Sequence, residues 1–493
     1  MMVYNSSQME ISKKAVKGVF WVAITTLVAK SLRFITSLVL AKLLFPSDFG
    51  LLAMGLLAIN SISLFHNLGL GQALIHYQKD IQEASETAFT MNQISAFVLS
   101  IIAILLAPYI AAFFKNPTVK PIIIILSLTI PINALATIPS FILNKQLAFR
   151  KKFLPEIIST FGYCITAIPL AYFKFGVWSI IYAQVISSII LTYSIWKVCG
   201  WRLRLKFNRT VAYELFSYGK HIVSITILVF CFQNIDLAFI GRLIDAKNLG
   251  FYSFAMMLAN LPSVNISFIV AQVAFPVYSQ MQKDKDQLSK TYLKTLKYVS
   301  FFVIPMCLGI FIFGPDLIHV LYADKWLSAI PPLQILVFYG LLRALIAPSG
   351  SILMAVGAVK WLSLLEVFAL TAVGIFIYPV TKNYGITGVA MLITSITLCG
   401  YVIVVIKTNK YINGSLKHYL KIIVPYTVIS LLCGLGAYSL TKLISPQANL
   451  ALIIFSILLT AISYLLINFM YDKNTKYLFV KLKENLFSAK TLL

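Results

Sequence analysis

The first apolar stretch of the chain carries Thr26, Lys30, Arg33 and Ser37. Steps of four, three and four put all four side chains on one helix face. Two are cations, and each Lys or Arg near the centre of a membrane helix costs roughly 2.5–3.5 kcal/mol on insertion scales. Such a face calls for an aqueous cavity, acidic partners or an anionic ligand. Arginine suits the last, because its planar fork grips phosphate in bidentate fashion while lysine adds a mobile point charge. At about 1.5 Å rise per residue, Lys30 lies on the order of 20 Å from the start of its span, too deep to snorkel back comfortably. Arg33 keeps a second reading, in which it snorkels to the opposite interface.

Further ionisable residues fall inside apolar stretches: Lys220, Asp236, Arg343 and Glu366. Lys30, Arg33, Lys220 and Arg343 then face only Asp236 and Glu366, a cationic surplus that an anionic ligand would balance. Lys220 and Glu366 lie near helix ends, where the membrane interface also accounts for them. Asp236 reads either as a structural ion pair with Arg242 or another helix, or as a site for ion coupling. His66 and His221 are lone imidazoles, and Cys164, Cys199, Cys231, Cys307, Cys399 and Cys433 show no paired spacing. Neither a disulfide frame, a metal site nor a cofactor is expected. A GxxxxGK[ST] loop is missing, as is any Ser/His/Asp or paired-carboxylate constellation, so the reading is not an enzyme.

The elements that must hold these residues are membrane helices. Apolar residues make up 59% of the chain and charged residues 12%, against roughly 45–50% and 25% in soluble domains. Spans of about 20 apolar residues recur along nearly the whole chain, whereas the short alternating strands of a barrel do not. The expected fold is an all-α integral membrane protein of about 14 transmembrane helices, in two six-helix lobes plus a C-terminal helix pair. The boundaries are a cytoplasmic tail at 1–15, lobes at 16–205 and 206–408, and the last pair with its tail at 409–493. With the N-terminus inside, the cytoplasmic segments carry about three times as many Lys and Arg as the outer ones, so both termini are expected in the cytoplasm. That topology absorbs most of the net charge of +25, including Lys145 to Lys152 and Arg202, Arg204, Lys206 and Arg209. Those clusters suit anionic headgroups and give no support for nucleic acid. The first span is too long for a cleaved signal, and the outer loops are too short for a catalytic domain.

The two lobes read as copies. Leu40-Ala-Lys-Leu-Leu-Phe-Pro-Ser-Asp-Phe-Gly50 aligns without a gap on Ile240-Gly-Arg-Leu-Ile-Asp-Ala-Lys-Asn-Leu-Gly250. Asn60, Ser63 and Asn67 fall opposite Asn260, Ser263 and Ser267. These stripes read either as helix–helix hydrogen bonding or as the lining of one cavity between the lobes. An even number of helices per copy relates the lobes by an axis along the membrane normal, the symmetry of alternating-access carriers. The copies differ where charge sits: at the offset of Lys30 and Arg33 the second has Phe230 and Gln233.

From Lys13 to the twelfth expected helix, the chain resembles the polysaccharide transporter (Wzx-like) branch of the flippase superfamily that also holds multidrug antiporters and lipid II flippases. The resemblance is carried by Phe45-Pro-Ser-Asp-Phe-Gly50, Gly69-Leu-Gly-Gln-Ala-Leu74, Phe149-Arg150, Phe175-Gly-Val-Trp178 and Asn234-Ile-Asp-Leu-Ala-Phe-Ile-Gly-Arg242. Leu249-Gly-Phe-Tyr252, Phe275-Pro276 and Lys325-Trp326 continue it. The likeness runs to exporters of colanic-acid, teichuronic-acid and other capsule or exopolysaccharide units. It implies a carrier of an undecaprenyl-pyrophosphate-linked glycan across the bacterial cytoplasmic membrane, with membrane lipids, a polysaccharide polymerase and chain-length proteins as further partners. Lys30, Arg33 and Arg343 are then expected at the pyrophosphate. Thr26, Ser37, Asn60, Ser63, Asn67, Asn260, Ser263 and Ser267 would line the cavity, and Asp236 is the candidate for ion coupling. A drug or cation antiporter of the same superfamily, a membrane polymerase or ligase and a structural scaffold are the other readings. The first needs carboxylates in the cavity, the second a large outer loop, and the third leaves the buried charges unexplained.

Overall fold

A computed structural model describes residues 2–65, 74, 80–146, 148–201, 206–412, 414–445 and 449–471, and among them every regular element is a helix. Along the first half these are α1 (Met2–Leu43), α2 (Pro46–Ser63), α3 (Ile81–Phe113), α4 (Val119–Ser127), α5 (Thr129–Lys145), α6 (Phe149–Tyr172) and α7 (Val177–Cys199). The second half holds α8 (Arg209–Leu243), α9 (Ala246–Gln280), α10 (Lys285–Tyr322), α11 (Ile330–Ala355), α12 (Val359–Tyr411), α13 (Leu416–Ile444) and α14 (Leu450–Tyr471). Eight helical stretches among the described residues are long and apolar enough to cross a membrane. The chain is an integral membrane protein.

Local chemistry sets the helix ends. Pro46 opens α2, where its missing N–H is no loss, and Asp48 one turn in accepts the Phe45 N–H at 2.9 Å. Asp80, Asn208 and Asp284 cap α3, α8 and α10 by accepting two backbone N–H groups each. The apolar stretch Val119–Lys145 is one candidate span built of two helices, α4 and α5, that meet at Leu128, just before Pro131. Within α12, Gly385 takes φ +60°, a left-handed turn that breaks the rod in two.

The chain divides into two compact units. Unit 1 is Met1–Phe254 with Ser363–Leu392, and unit 2 is Ala255–Leu362 with Ile393–Leu493. In unit 1, α3 buries Ala84, Ala88, Ala96, Ala103, Ala107 and Ala111 along one stripe, so neighbouring backbones come close. Small residues do this in lipid, where no hydrophobic force draws helices together. Along the same stripe, the Asn92 amide donates to the Ala134 carbonyl at 3.1 Å and the Ser100 hydroxyl to that of Ser127 at 3.1 Å. The opposite face shows Phe97, Ile101, Leu105 and Tyr109, all exposed, which suits contact with acyl chains. In unit 2, Phe301, Ile304 and Leu308 of α10 pack on Tyr426 and Cys433 of α13 and Tyr464 of α14.

Unit 1 reaches past residue 205 because the two copied motifs pack on each other. A Cβ on Gly50 would run into the carbonyl of Ala246, and a Cβ on Gly250 into that of Pro46. Pro46 and Ala246 occupy matching positions, so the contact is reciprocal. Glycine in both copies is what lets the starts of α2 and α9 touch backbone to backbone.

Candidate functional site

Arg33 lines a polar pocket of ≈ 470 Å³ inside unit 1. Its walls are Asn133, Thr137, Ser140 and Asn144 of α5, Lys152 of α6, and Gln184, Ser187 and Ser188 of α7, with Ala136, Phe141 and Leu191 as the apolar remainder. The α5 residues succeed one another by four, three and four, the spacing of the α1 face, and so form one stripe. Of the predicted face of α1, Arg33 alone is among the lining residues; Thr26, Lys30 and Ser37 are half-buried elsewhere along the helix. Ser37 donates to the Arg33 carbonyl at 2.9 Å, a bond within its own helix.

The Arg33 guanidinium lies over the ring of Tyr163, 5.2 Å from its centroid, and the side chain is exposed. Among the described residues it donates no hydrogen bond and forms no ion pair. Cation–π contact holds the fork in place without using its donors. At the other end of the pocket the Lys152 ammonium donates to Asn144 Oδ1 at 3.2 Å and lies 4.0 Å from Glu156. Ser187 donates to the Ser159 carbonyl at 3.0 Å, pinning α7 to α6. None of the lining residues is a carboxylate. The arrangement is chemically suited to hold an anion and to hydrogen-bond hydroxyl groups around it.

Unit 2 brings three other predicted residues together. Arg343 donates to Asn260 Oδ1 and to the Tyr339 hydroxyl, both at 3.4 Å, and lies over the Tyr339 ring at 5.5 Å. Ser263 donates to the Asn260 carbonyl at 3.1 Å. Gly340 makes this possible, since a Cβ there would meet the carbonyl of Ala259 on α9. Tyr339 and Tyr163 carry no charge and were not singled out by spacing. An apolar groove of ≈ 480 Å³ also lies in unit 2, walled by Leu261 of α9, Phe302, Pro305, Met306 and Ile310 of α10, and Ile457, Ala461 and Leu465 of α14.

Asp236 is 3% exposed and accepts the Tyr252 hydroxyl at 2.7 Å and the Leu237 N–H at 2.9 Å. The expected partner Arg242 turns elsewhere, donating to the Ala112 and Phe113 carbonyls at the end of α3. Asn60 is exposed and Ser63 half-buried. Asn67, His66, Arg202 and Arg204 lie outside the described residues, as do the side chains of Lys220, His221 and Ser267. No group of three or more His, Cys, Asp or Glu suited to a metal occurs among the described residues.

Comparison with known proteins agrees with this architecture. The chain is 25% identical over 467 residues to the teichuronic acid biosynthesis protein TuaB of Bacillus subtilis, covering 92% of this chain and 95% of the relative. It is 24% identical to the succinoglycan biosynthesis transport protein ExoT of Rhizobium meliloti, with 81% of each chain covered. Against the lipopolysaccharide biosynthesis protein WzxC of Escherichia coli it is 25% identical, over 70% of this chain and 72% of that one. Among solved structures it shares its fold with the lipid II flippase MurJ in an inward closed conformation, at a TM-score of 0.74 and 16% identity over 91% of this chain and 98% of that one. An inward-facing multidrug resistance MATE transporter matches at a TM-score of 0.64 and 15% identity, over 79% and 98%. The profile of a family described as "Polysaccharide biosynthesis protein" matches residues 39–331, more than half of the sequence, and the chain belongs to that family.

Proposed function

We propose that this protein flips a polyprenyl-pyrophosphate-linked oligosaccharide, a building unit of capsule, exopolysaccharide or O-antigen, across the bacterial cytoplasmic membrane by alternating access. The observation that carries the reading is the Arg33 pocket: an arginine with uncommitted donors, walled by hydroxyls and amides and without a lining carboxylate. A pyrophosphate matches the bidentate fork, and sugar hydroxyls match Asn, Gln, Ser and Thr. The apolar groove of unit 2 supports the same reading, because a polyprenyl tail stays in an apolar environment while its polar head crosses. Two lobes at 16–205 and 206–408, with 14 spans and both termini in the cytoplasm, remain the proposed topology. A ligand drives such a cycle only by binding the inward and outward states unequally. Polymerisation on the outer side would then remove the product, with a polymerase and chain-length proteins as partners.

Lys30 belongs to the same proposed cationic face, whereas Arg343 is already engaged by Asn260 and Tyr339. Asp236, bonded to Tyr252, is the proposed place for ion coupling. A drug or cation antiporter would call for carboxylates in the pocket, and its lining has none. The test is reconstitution of the full chain into liposomes with a polyprenyl-pyrophosphate-linked oligosaccharide, followed by the appearance of glycan in the opposite leaflet. Flipping of that lipid without uptake of organic cations supports the exporter. Cation–proton exchange with no glycan movement would replace it by the antiporter.

A further inference from the structure

Lys152 shares the Arg33 pocket but sits at its other end. Lys152 and Tyr163 share one face of α6, separated by three turns, about 16 Å at 1.5 Å per residue. Arg33 lies over Tyr163, and Lys152 is bonded to Asn144. The α5 stripe repeats the same span, from Asn133 at one end to Asn144 at the other. The pocket is therefore a track with a cation at each end. Between them lie Thr137, Ser140, Gln184 and Ser188, neutral groups that both donate and accept hydrogen bonds.

Position along the membrane separates the two cations. Lys152 stands in the first turn of α6, next to the exposed Arg150 and Lys151, whereas Arg33 lies three turns deeper. The pyrophosphate of a lipid-linked glycan waits at headgroup level, so the first pocket cation within its reach is Lys152. An ammonium has three donors. One bond to Asn144 at 3.2 Å and a loose pair with Glu156 at 4.0 Å do not use them all.

We propose that Lys152, held by Asn144, is a loading site that captures the pyrophosphate at the cytoplasmic end of the pocket and passes it along the neutral track to Arg33. This rests on the exporter reading and its inside N-terminus. The division of labour follows from position: Lys152 governs how readily substrate is taken up, and Arg33 governs how fast loaded substrate crosses. The absence of a carboxylate from the lining matters to both, since one acidic side chain on the track would repel the moving anion.

The test uses the full chain in liposomes with the content of polyprenyl-pyrophosphate-linked oligosaccharide varied, and reads initial flipping rates. Lys152→Gln should raise the half-saturating content about tenfold while the maximal rate stays within about twofold of wild type. Lys152→Arg should restore half-saturation. Asn144→Asp, which sets a carboxylate beside the ammonium, should raise half-saturation in a second, independent variant. Arg33→Gln should instead lower the maximal rate. Unchanged half-saturation in both Lys152→Gln and Asn144→Asp, or a fall in maximal rate matching Arg33→Gln, would overturn the loading site while leaving the exporter intact. A wild-type chain that moves no glycan overturns both.

Discussion

Arg33 and Arg343 are both arginines set among small polar side chains, and the protein holds them differently. Arg33 is exposed, leans on the ring of Tyr163 and donates no hydrogen bond to a described residue. Arg343 is half-buried, leans on Tyr339 and donates to both Asn260 and the Tyr339 hydroxyl. The duplication sharpens the contrast. Asn60 of the first copy aligns with Asn260 of the second, and the fourth expected spans of the two copies carry Asn133 and Arg343. One copy carries its arginine on the first helix with an asparagine on the fourth span, and the other has Gln233 on the first helix and its arginine on the fourth span. An arginine that spends Nη1 on an asparagine of a neighbouring helix and on a tyrosine of its own ties two helices together. One that rests on an aromatic face keeps its fork for a ligand.

The comparison can be broken at the helix crossing. Gly340→Leu drives a side chain into the Ala259 carbonyl, and should cost more than about 3 kcal/mol, read as loss of monodisperse protein after extraction. A well-behaved Gly340→Leu protein would remove the close crossing as the reason Arg343 is held. Arg33→Ala should lower flipping at least about tenfold, roughly 1.4 kcal/mol or more in the barrier, with a thermal midpoint near that of wild type. Equal flipping with Arg33→Ala would remove the charge from the mechanism. Arg343→Met should show the reverse balance, a midpoint lowered by several degrees, on the order of 1–3 kcal/mol, with flipping within about threefold. The smallest effect is expected from Asn260→Ala, about 0.5–1.5 kcal/mol for one lost acceptor. If Arg343→Met abolishes transport at unchanged stability, the two arginines are a matched pair after all.

Charge made half of the site legible from the chain alone. Arg33 stands out because an arginine in an apolar run is costly wherever it points. The α5 stripe hides, although its 4–3–4 spacing is the same, because Asn133, Thr137, Ser140 and Asn144 cost little in a helix that also carries Pro131, Pro139 and two alanines. Tyr163, Tyr339 and Tyr252 are harder still: with 25 tyrosines in the chain, only the tertiary packing says which hydroxyl or ring faces a charge. The helical class follows from composition, and so does the break inside α12, but the break at Leu128 does not. Leu128 ends α4 with no glycine to mark it, whereas two apolar runs of span length, about 361–380 and 386–406, leave Gly385 between them, and its φ of +60° supplies the turn. The gapless copy of Gly50 on Gly250 was readable at once. Its physical reason, a reciprocal backbone contact with Ala246 and Pro46, needed the fold.

The central claim is that the lipid-linked glycan occupies the Arg33 pocket. Photocrosslinking tests it most directly, with a photoreactive side chain placed at Thr137 in the pocket wall or at the exposed Ile165 on the outer face of α6. Labelled polyprenyl-pyrophosphate oligosaccharide should be captured through its sugar at position 137, not at 165, and capture should disappear when Arg33→Gln is added. Equal capture at the two positions, or capture at 137 that is indifferent to Arg33, would contradict the account.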